Sequence, residues 1–171
     1  FRNHGIEEDW HTRAQRNDWE YSIRSLGYNY RLSDIACALG ISQLERASHF
    51  LNKRSKIACI YNERLSQIPG VRCPNSKEGI EHAWHLYTLR LNRDKIGVTR
   101  DEIFSALRAE GIGVNVHYKP VYLHPYYLEH LGFSRGLCPK AEIAYDEVIS
   151  LPIFSDMCKQ DVDDVVNACK K

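Results

Sequence analysis

One long helical stripe, from Ser33 to Leu65, constrains this chain more than any other feature. Ile35, Leu39, Leu44, Ala47, Leu51, Ala58, Tyr61 and Leu65 approximate the i, i+3, i+4, i+7 spacing that turns one helix face away from water. Pro69-Gly70 ends the run. The pattern predicts two helices with a kink, because Ser48 can cap a second one. Its first part, SDIACALGISQLERA (33–47), also reads as a helix-turn-helix, with Gly40 at the turn and a Ser-x-x-Glu that could cap the second helix. The competing reading keeps Gly40 inside one continuous helix, at a cost of about 1 kcal/mol, where another backbone approaches closely.

Charge weighs between these readings. The chain carries 23 Lys and Arg against 22 Asp and Glu, a formal net charge of +1. DNA readers draw most of their affinity from phosphate neutralisation and carry a clustered basic excess. The balance argues against a nucleic-acid partner, and no apolar run approaches the length of a membrane span. With 171 residues, 43% of them hydrophobic, the chain can bury the core of one ordinary domain, or of one domain plus part of another. Cys37, Cys59, Cys73, Cys138, Cys158 and Cys169 form no C-x-x-C pair. They are expected as free thiols of a reducing compartment. There is no initiating Met, and FRNHG resembles neither a signal nor a transit peptide, so the chain reads as cut from something longer.

Around the stripe the elements are shorter. Residues 1–31 interleave Trp10, Trp19, Tyr21, Tyr28 and Tyr30 with charges and read as loop-rich. His82 to Leu91 alternates as a strand, with Ala83, His85, Tyr87, Leu89 and Leu91 on one face. Thr99-Arg100-Asp101-Glu102 is a capping box opening a helix that buries Ile103, Phe104 and Leu107 and stops at Gly111. Ile112 to His117 alternates again, with Ile112, Val114 and Val116 apolar and Asn115, His117 and then Lys119 polar. Helices are expected over Tyr122–Leu131, Pro139–Glu147 and Asp156–Lys170. A short strand, 148–152, should end at Pro152. This order predicts a small sheet backed by helices.

Two stretches could carry chemistry. GYNYRLSD (27–34) sets an Arg and an amide donor before a helix start, a natural phosphate site, or else an aromatic-capped turn. HYKP (117–120) ends the polar strand face with a His and a Lys that could bind a phosphate or carboxylate or move a proton. It could equally be a satisfied polar edge. In a strand, His82 and His85 would face opposite ways, so a shared metal is not expected.

These stretches also line up with a family. RNHG, GYNYRLSDIACALGISQLERA, the Arg54, Ala58, Tyr61, Leu65 pattern, HAWHLY, GIGVNVHYKPVY and SLPIF follow one another along essentially the whole chain. Together they resemble the DegT/DnrJ/StrS-type sugar-nucleotide aminotransferases, which use pyridoxal 5'-phosphate. HYKPVY and HAWHLY are similar to the 4-aminotransferases of UDP-linked 4-keto-6-deoxy sugars, including the pseudaminic-acid pathway type. The resemblance implies an α/β (α+β) fold, the small C-terminal domain of a fold-type I enzyme, with a mostly antiparallel sheet backed by helices. Residues 1–31 would be the tail of the large cofactor domain, 32–171 the small domain, and 32–67 its long interdomain and dimer helices.

The same resemblance implies a cytoplasmic homodimer that moves an amino group from glutamate to a nucleotide-linked keto-deoxysugar for glycan biosynthesis. Asn29 and Arg31 would contact the cofactor phosphate of the partner subunit. His117, Lys119, His85 and Tyr30 would lie on the substrate side. The Schiff-base lysine, and the carboxylate pairing with the pyridine nitrogen, would lie upstream of RNHG, so this chain alone is not expected to transaminate. The alternatives are a regulator built on residues 33–47 and a non-catalytic dimerisation module derived from the enzyme.

Overall fold

The computed structural model describes residues 1–6, 10–17 and 19–171. Residues 7–9 and Asp18, which fall in the expected loop-rich segment, and the Trp10 side chain lie outside the described residues. Two compact units form, Phe1–Arg46 and Ala47–Lys171. The packing thus divides inside a helix, whereas the sequence reading divides at 31/32.

In the first unit, single antiparallel bridges pair Asn3 with Asn29 and Ile6 with Ile23. Helix α1 (Trp10–Gln15) lies between these arms in sequence. Helix α2 then runs without interruption over Asp34–Leu65. Ser33 starts it, its hydroxyl accepting from the Ala36 N–H at 3.3 Å.

This single helix corrects both the kink expected at Ser48 and the helix-turn-helix. Once nucleated, a helix gains one hydrogen bond per residue fixed. The modest penalty of Gly40, and the pull of Ser48 towards a cap, do not offset the loss of several bonds. A Cβ built on Gly40 meets nothing within 4 Å, so the described residues contain no backbone approaching it.

The second unit is built on a three-stranded antiparallel sheet, β1 (Val71–Arg72), β2 (Tyr87–Leu91) and β3 (Val148–Leu151), in that spatial order. Tyr87 pairs with Leu151 and Leu89 with Ile149. On β2, alternate residues Tyr87, Leu89 and Leu91 are buried, as a two-residue period requires for a strand with one face on a core. They join Tyr61 and Leu65 of α2, Leu107 of α4 (Arg100–Ala109) and Val162, Val165 and Val166 of α7 (Lys159–Lys170) in one cluster. The Tyr61 hydroxyl donates to the Pro152 carbonyl at 2.9 Å, and its ring meets Tyr87 edge-on at 5.0 Å. Both phenol pKa values are raised, chiefly by burial. An ion pair between Arg64 and Asp163 ties α2 to α7.

The capping box of α4 forms as expected. Thr99 Oγ1 accepts the Glu102 N–H at 3.3 Å while the Glu102 carboxylate accepts the Thr99 N–H at 2.7 Å. The Thr99 hydroxyl, which also donates to that carboxylate at 2.7 Å, and then the Thr99 N–H hold the Glu102 carboxyl below the usual range. Gly111, at φ +80°, closes the helix: its N–H reaches Arg108 O at 3.1 Å and the Ile112 N–H reaches Leu107 O at 2.9 Å. That is a Schellman motif, whose left-handed residue favours glycine.

Two expected strands shorten. Over 112–117 only Asn115 pairs, with Ser150. The Val114 N–H folds back to Ile112 O at 3.0 Å, so the chain turns where the alternation suggested extension. Over 82–91 the strand begins at Tyr87, because Trp84 adopts φ +47° and its N–H bonds the His82 ring. The helix expected over 122–131 becomes a 3₁₀ turn (Val121–Leu123) and then α5 (Pro125–Leu131). Pro125 lacks an N–H and takes a first-turn position of the new helix. The pattern did not reveal α3 (Arg93–Ile96). Helix α6 (Pro139–Glu147) stands where expected. No helix among the described residues is long and apolar enough to cross a membrane.

Candidate functional site

In the first unit the site is an extended ribbon made by two backbones that cross closely. The Tyr28 N–H donates to Phe1 O at 2.7 Å, the His4 N–H to Tyr28 O at 2.9 Å and the Tyr30 N–H to Arg2 O at 2.9 Å. A Cβ on Gly27 would stand 2.1 Å from Gly5 N, and one on Gly5 1.8 Å from Ser25 O. Real side chains never reach such separations, so RNHG and GYNYR meet only because both positions are glycine.

This pairing decides which groups share a face. Bridged residues of an antiparallel pair project together, and neighbours along a strand project oppositely. Asn3 and Asn29 therefore share one face. Arg31, two residues beyond Asn29, donates from its guanidinium to Asn3 Oδ1 on that face. The opposite face carries Tyr28 and Tyr30, stacked at 4.8 Å and 8°. Asn29, Arg31 and Tyr30 are all exposed. Asn29 and Arg31 are thus brought together, and Tyr30 points away from them. Asn3 fixes the guanidinium, a part that no local pattern assigns to it, since its partners lie more than twenty residues away.

In the second unit His117 is held firmly. Its Nδ1 lies 2.9 Å from Ser150 Oγ, and that hydroxyl is 3.3 Å from Thr88 Oγ1. Ser150 is buried, and its backbone exchanges both hydrogen bonds with Asn115, at 2.7 and 3.2 Å. With Nδ1 engaged, Nε2 is the ring nitrogen left to meet a ligand. Lys119 and His85 are exposed, and among the described residues neither side chain has a partner. His82 is structural: its Nδ1 accepts the Trp84 N–H at 2.9 Å and its ring lies against Trp84 at 4.2 Å.

Glu142 was invisible to sequence reading, since a carboxylate in the first turn of a helix is usually solvated. Here it is buried. It accepts the Tyr122 hydroxyl at 2.6 Å and the Gly136 N–H at 2.7 Å, with Arg135 close by. It thereby ties the end of HYKPVY to α6. The Tyr122 bond first, then those from the backbone and the Arg135 charge, hold the Glu142 carboxyl below its usual range. Burial and the Glu142 carboxylate push the Tyr122 phenol up to about 12.

A depressed carboxyl stabilises the fold above its unfolded pKa, about 4.3, and loses that contribution as pH falls through the lower folded value. The Gly136 amide resonance should therefore keep its hydrogen-bonded shift at about pH 5 and lose it only as pH falls through the lowered folded value. In Glu142→Gln it should be displaced at every pH.

The chain belongs to the DegT/DnrJ/EryC1/StrS aminotransferase family, matched over residues 1–170. It is 38% identical over 169 residues to the spore coat polysaccharide biosynthesis protein SpsC of Bacillus subtilis, covering 98% of this chain and 43% of that one. It is 36% identical over 160 residues to the UDP-4-amino-4,6-dideoxy-N-acetyl-beta-L-altrosamine transaminase of Campylobacter jejuni, covering 94% of this chain and 40% of that one. Among solved structures, the PMP form of Spr1654 from Streptococcus pneumoniae superposes with a TM-score of 0.83 at 30% identity, covering 98% of this chain and 41% of that one. The structural neighbours are fold-type I aminotransferases, so the small antiparallel sheet with its helices is the fold the resemblance implied. The chain spans about two fifths of the length of these relatives.

Proposed function

We propose that this chain is the C-terminal portion of a homodimeric, pyridoxal-phosphate-dependent aminotransferase. The whole enzyme would move an amino group from glutamate to a keto carbon of a nucleotide-linked deoxysugar. One observation carries this reading: the ribbon that sets Asn29 and Arg31 on one face, with Asn3 holding the guanidinium. A planar guanidinium beside an amide donor suits the phosphate of the cofactor. When bound, pyridoxal phosphate supplies the electron sink for the transfer.

Each residue of this chain then has a part. Asn29 and Arg31 hold the phosphate of the cofactor bound by the partner subunit. His117, steadied through Nδ1 by Ser150, presents Nε2 to the substrate, to bind an oxygen or hold a proton. Lys119 and His85 of the second unit serve as substrate-side contacts, and Tyr30 of the first unit as a separate one. Support for the dimer comes from the first unit, where Ile35, Leu39 and Leu44 of α2 are exposed, Ile35 by 84%. A face of this kind on a family member marks an association surface. The lysine that carries the cofactor lies in the part of the enzyme outside this chain.

Arg31→Ala in the full-length enzyme should raise the cofactor concentration needed for half-saturation about ten- to hundredfold, the loss of a charge-assisted contact. Pyridoxal, which lacks the phosphate, should bind variant and wild type alike. An unchanged half-saturation for pyridoxal phosphate would remove Arg31 from the site.

A further inference from the structure

Arg72 and Arg90 stand directly opposite each other in the register of β1 and β2. Opposed residues of an antiparallel pair project from the same face, and like charges placed so repel. Both line a concavity of 280 Å³ together with Lys95, Asn92 and Glu147. Among the described residues Glu147 is its only carboxylate, and it is already engaged by the Arg90 guanidinium. Among the described residues, the Arg72 and Lys95 side chains have no acceptor and no ion-pair partner. The Arg90 Nε is shielded from solvent and also lacks an acceptor.

The frame around these cations is tied down. The Asn92 N–H donates to Gly70 O at 2.8 Å, joining the ends of β1 and β2, and Asn92 Oδ1 accepts the Lys95 N–H at 3.1 Å. Three cations facing one carboxylate leave two positive charges gathered on a fixed surface. A surface that gathers cations in this way gains from an anion that can bridge those left without a partner.

We propose that this concavity is a binding site for a phosphoryl oxyanion. The group would take hydrogen bonds from the Arg72 guanidinium, the Lys95 ammonium and the Asn92 side-chain amide. Glu147 would hold Arg90 in place while limiting affinity through its own charge. The fork of an arginine matches phosphate oxygens in pairs, which separates this site from a diffuse basic surface.

The test is an amide NMR titration of the ¹⁵N-labelled protein with inorganic phosphate at low ionic strength, matched against sodium chloride. Saturable shifts should centre on Arg72, Arg90 and Lys95. Arg72→Gln combined with Lys95→Gln should weaken binding at least about tenfold, the loss of two charged donors. Glu147→Gln should tighten it, a gain that misfolding cannot imitate. A parallel titration with a nucleoside diphosphate separates the sources: tighter binding at the same amides assigns the phosphoryl group of a nucleotide, and equal binding assigns the free oxyanion. Shifts reproduced by chloride, shifts centred on Asn29 and Arg31 alone, or affinity unchanged in the double variant would each overturn the proposal.

Discussion

Gly27→Ala is expected to destroy cofactor retention by the full-length enzyme while leaving the Ala47–Lys171 unit folded. The added methyl would sit 2.1 Å from Gly5 N, against backbone rather than a flexible side-chain end. Overpacking of this kind costs about 1–3 kcal/mol even where side chains can give way. Here the relief available is to part the two backbones. Parting them breaks the bonds from Tyr28 to Phe1, His4 to Tyr28 and Tyr30 to Arg2, and with them the bridge that sets Asn3 beside Asn29. Arg31 then loses its anchor. The measurement is cofactor content after dialysis, with the melting of the second unit followed by Tyr61 and Tyr87 ring resonances. A variant that keeps both its cofactor and the Asn3–Asn29 pairing would show that the glycine contact is dispensable.

Tyr61→Ala should have the largest effect on stability. Tyr61 is fully buried, packs edge-on against Tyr87 and bonds the Pro152 carbonyl. Deleting a buried aromatic ring costs about 3–5 kcal/mol, a large part of the 5–15 kcal/mol that holds an ordinary domain together. Tyr61→Phe keeps the ring and leaves Pro152 O unbonded, so it should cost about 1–3 kcal/mol. Chemical denaturation of wild type and both variants separates the two contributions. Equal losses in Phe and Ala would assign the effect to the hydrogen bond and contradict the packing account.

Local chemistry explains which elements were legible. The α4 boundary was visible because Thr99 and Glu102 satisfy each other's backbone groups within four residues. The helix expected over Asp156–Lys170 begins at Lys159, and its buried Val162, Val165 and Val166 keep the helical spacing. The kink at Ser48 was misread because a serine hydroxyl suits a cap as well as a helix surface, and only the continuing hydrogen-bond ladder decides. The strand at 112–117 was misread because alternation records burial, and Ile112 to Val114 can alternate around a tight turn.

The candidate site divides in the same way. Asn29 and Arg31 entered through a resemblance of motifs, and the ribbon supplies a physical reason for them to act together. Asn3 and Ser150 could not be assigned their parts from sequence, because each acts on a residue more than twenty-five positions away. Glu142 was hidden because its burial depends on Tyr122 and on the 135–138 loop closing over it.

The most direct test is the visible absorbance of the full-length protein loaded with pyridoxal phosphate and then titrated with glutamate. The expected result is a cofactor band that glutamate bleaches and that a nucleotide-linked keto-deoxysugar restores as the amino group passes on. A protein that takes up no cofactor, or whose band glutamate leaves unchanged, would contradict it.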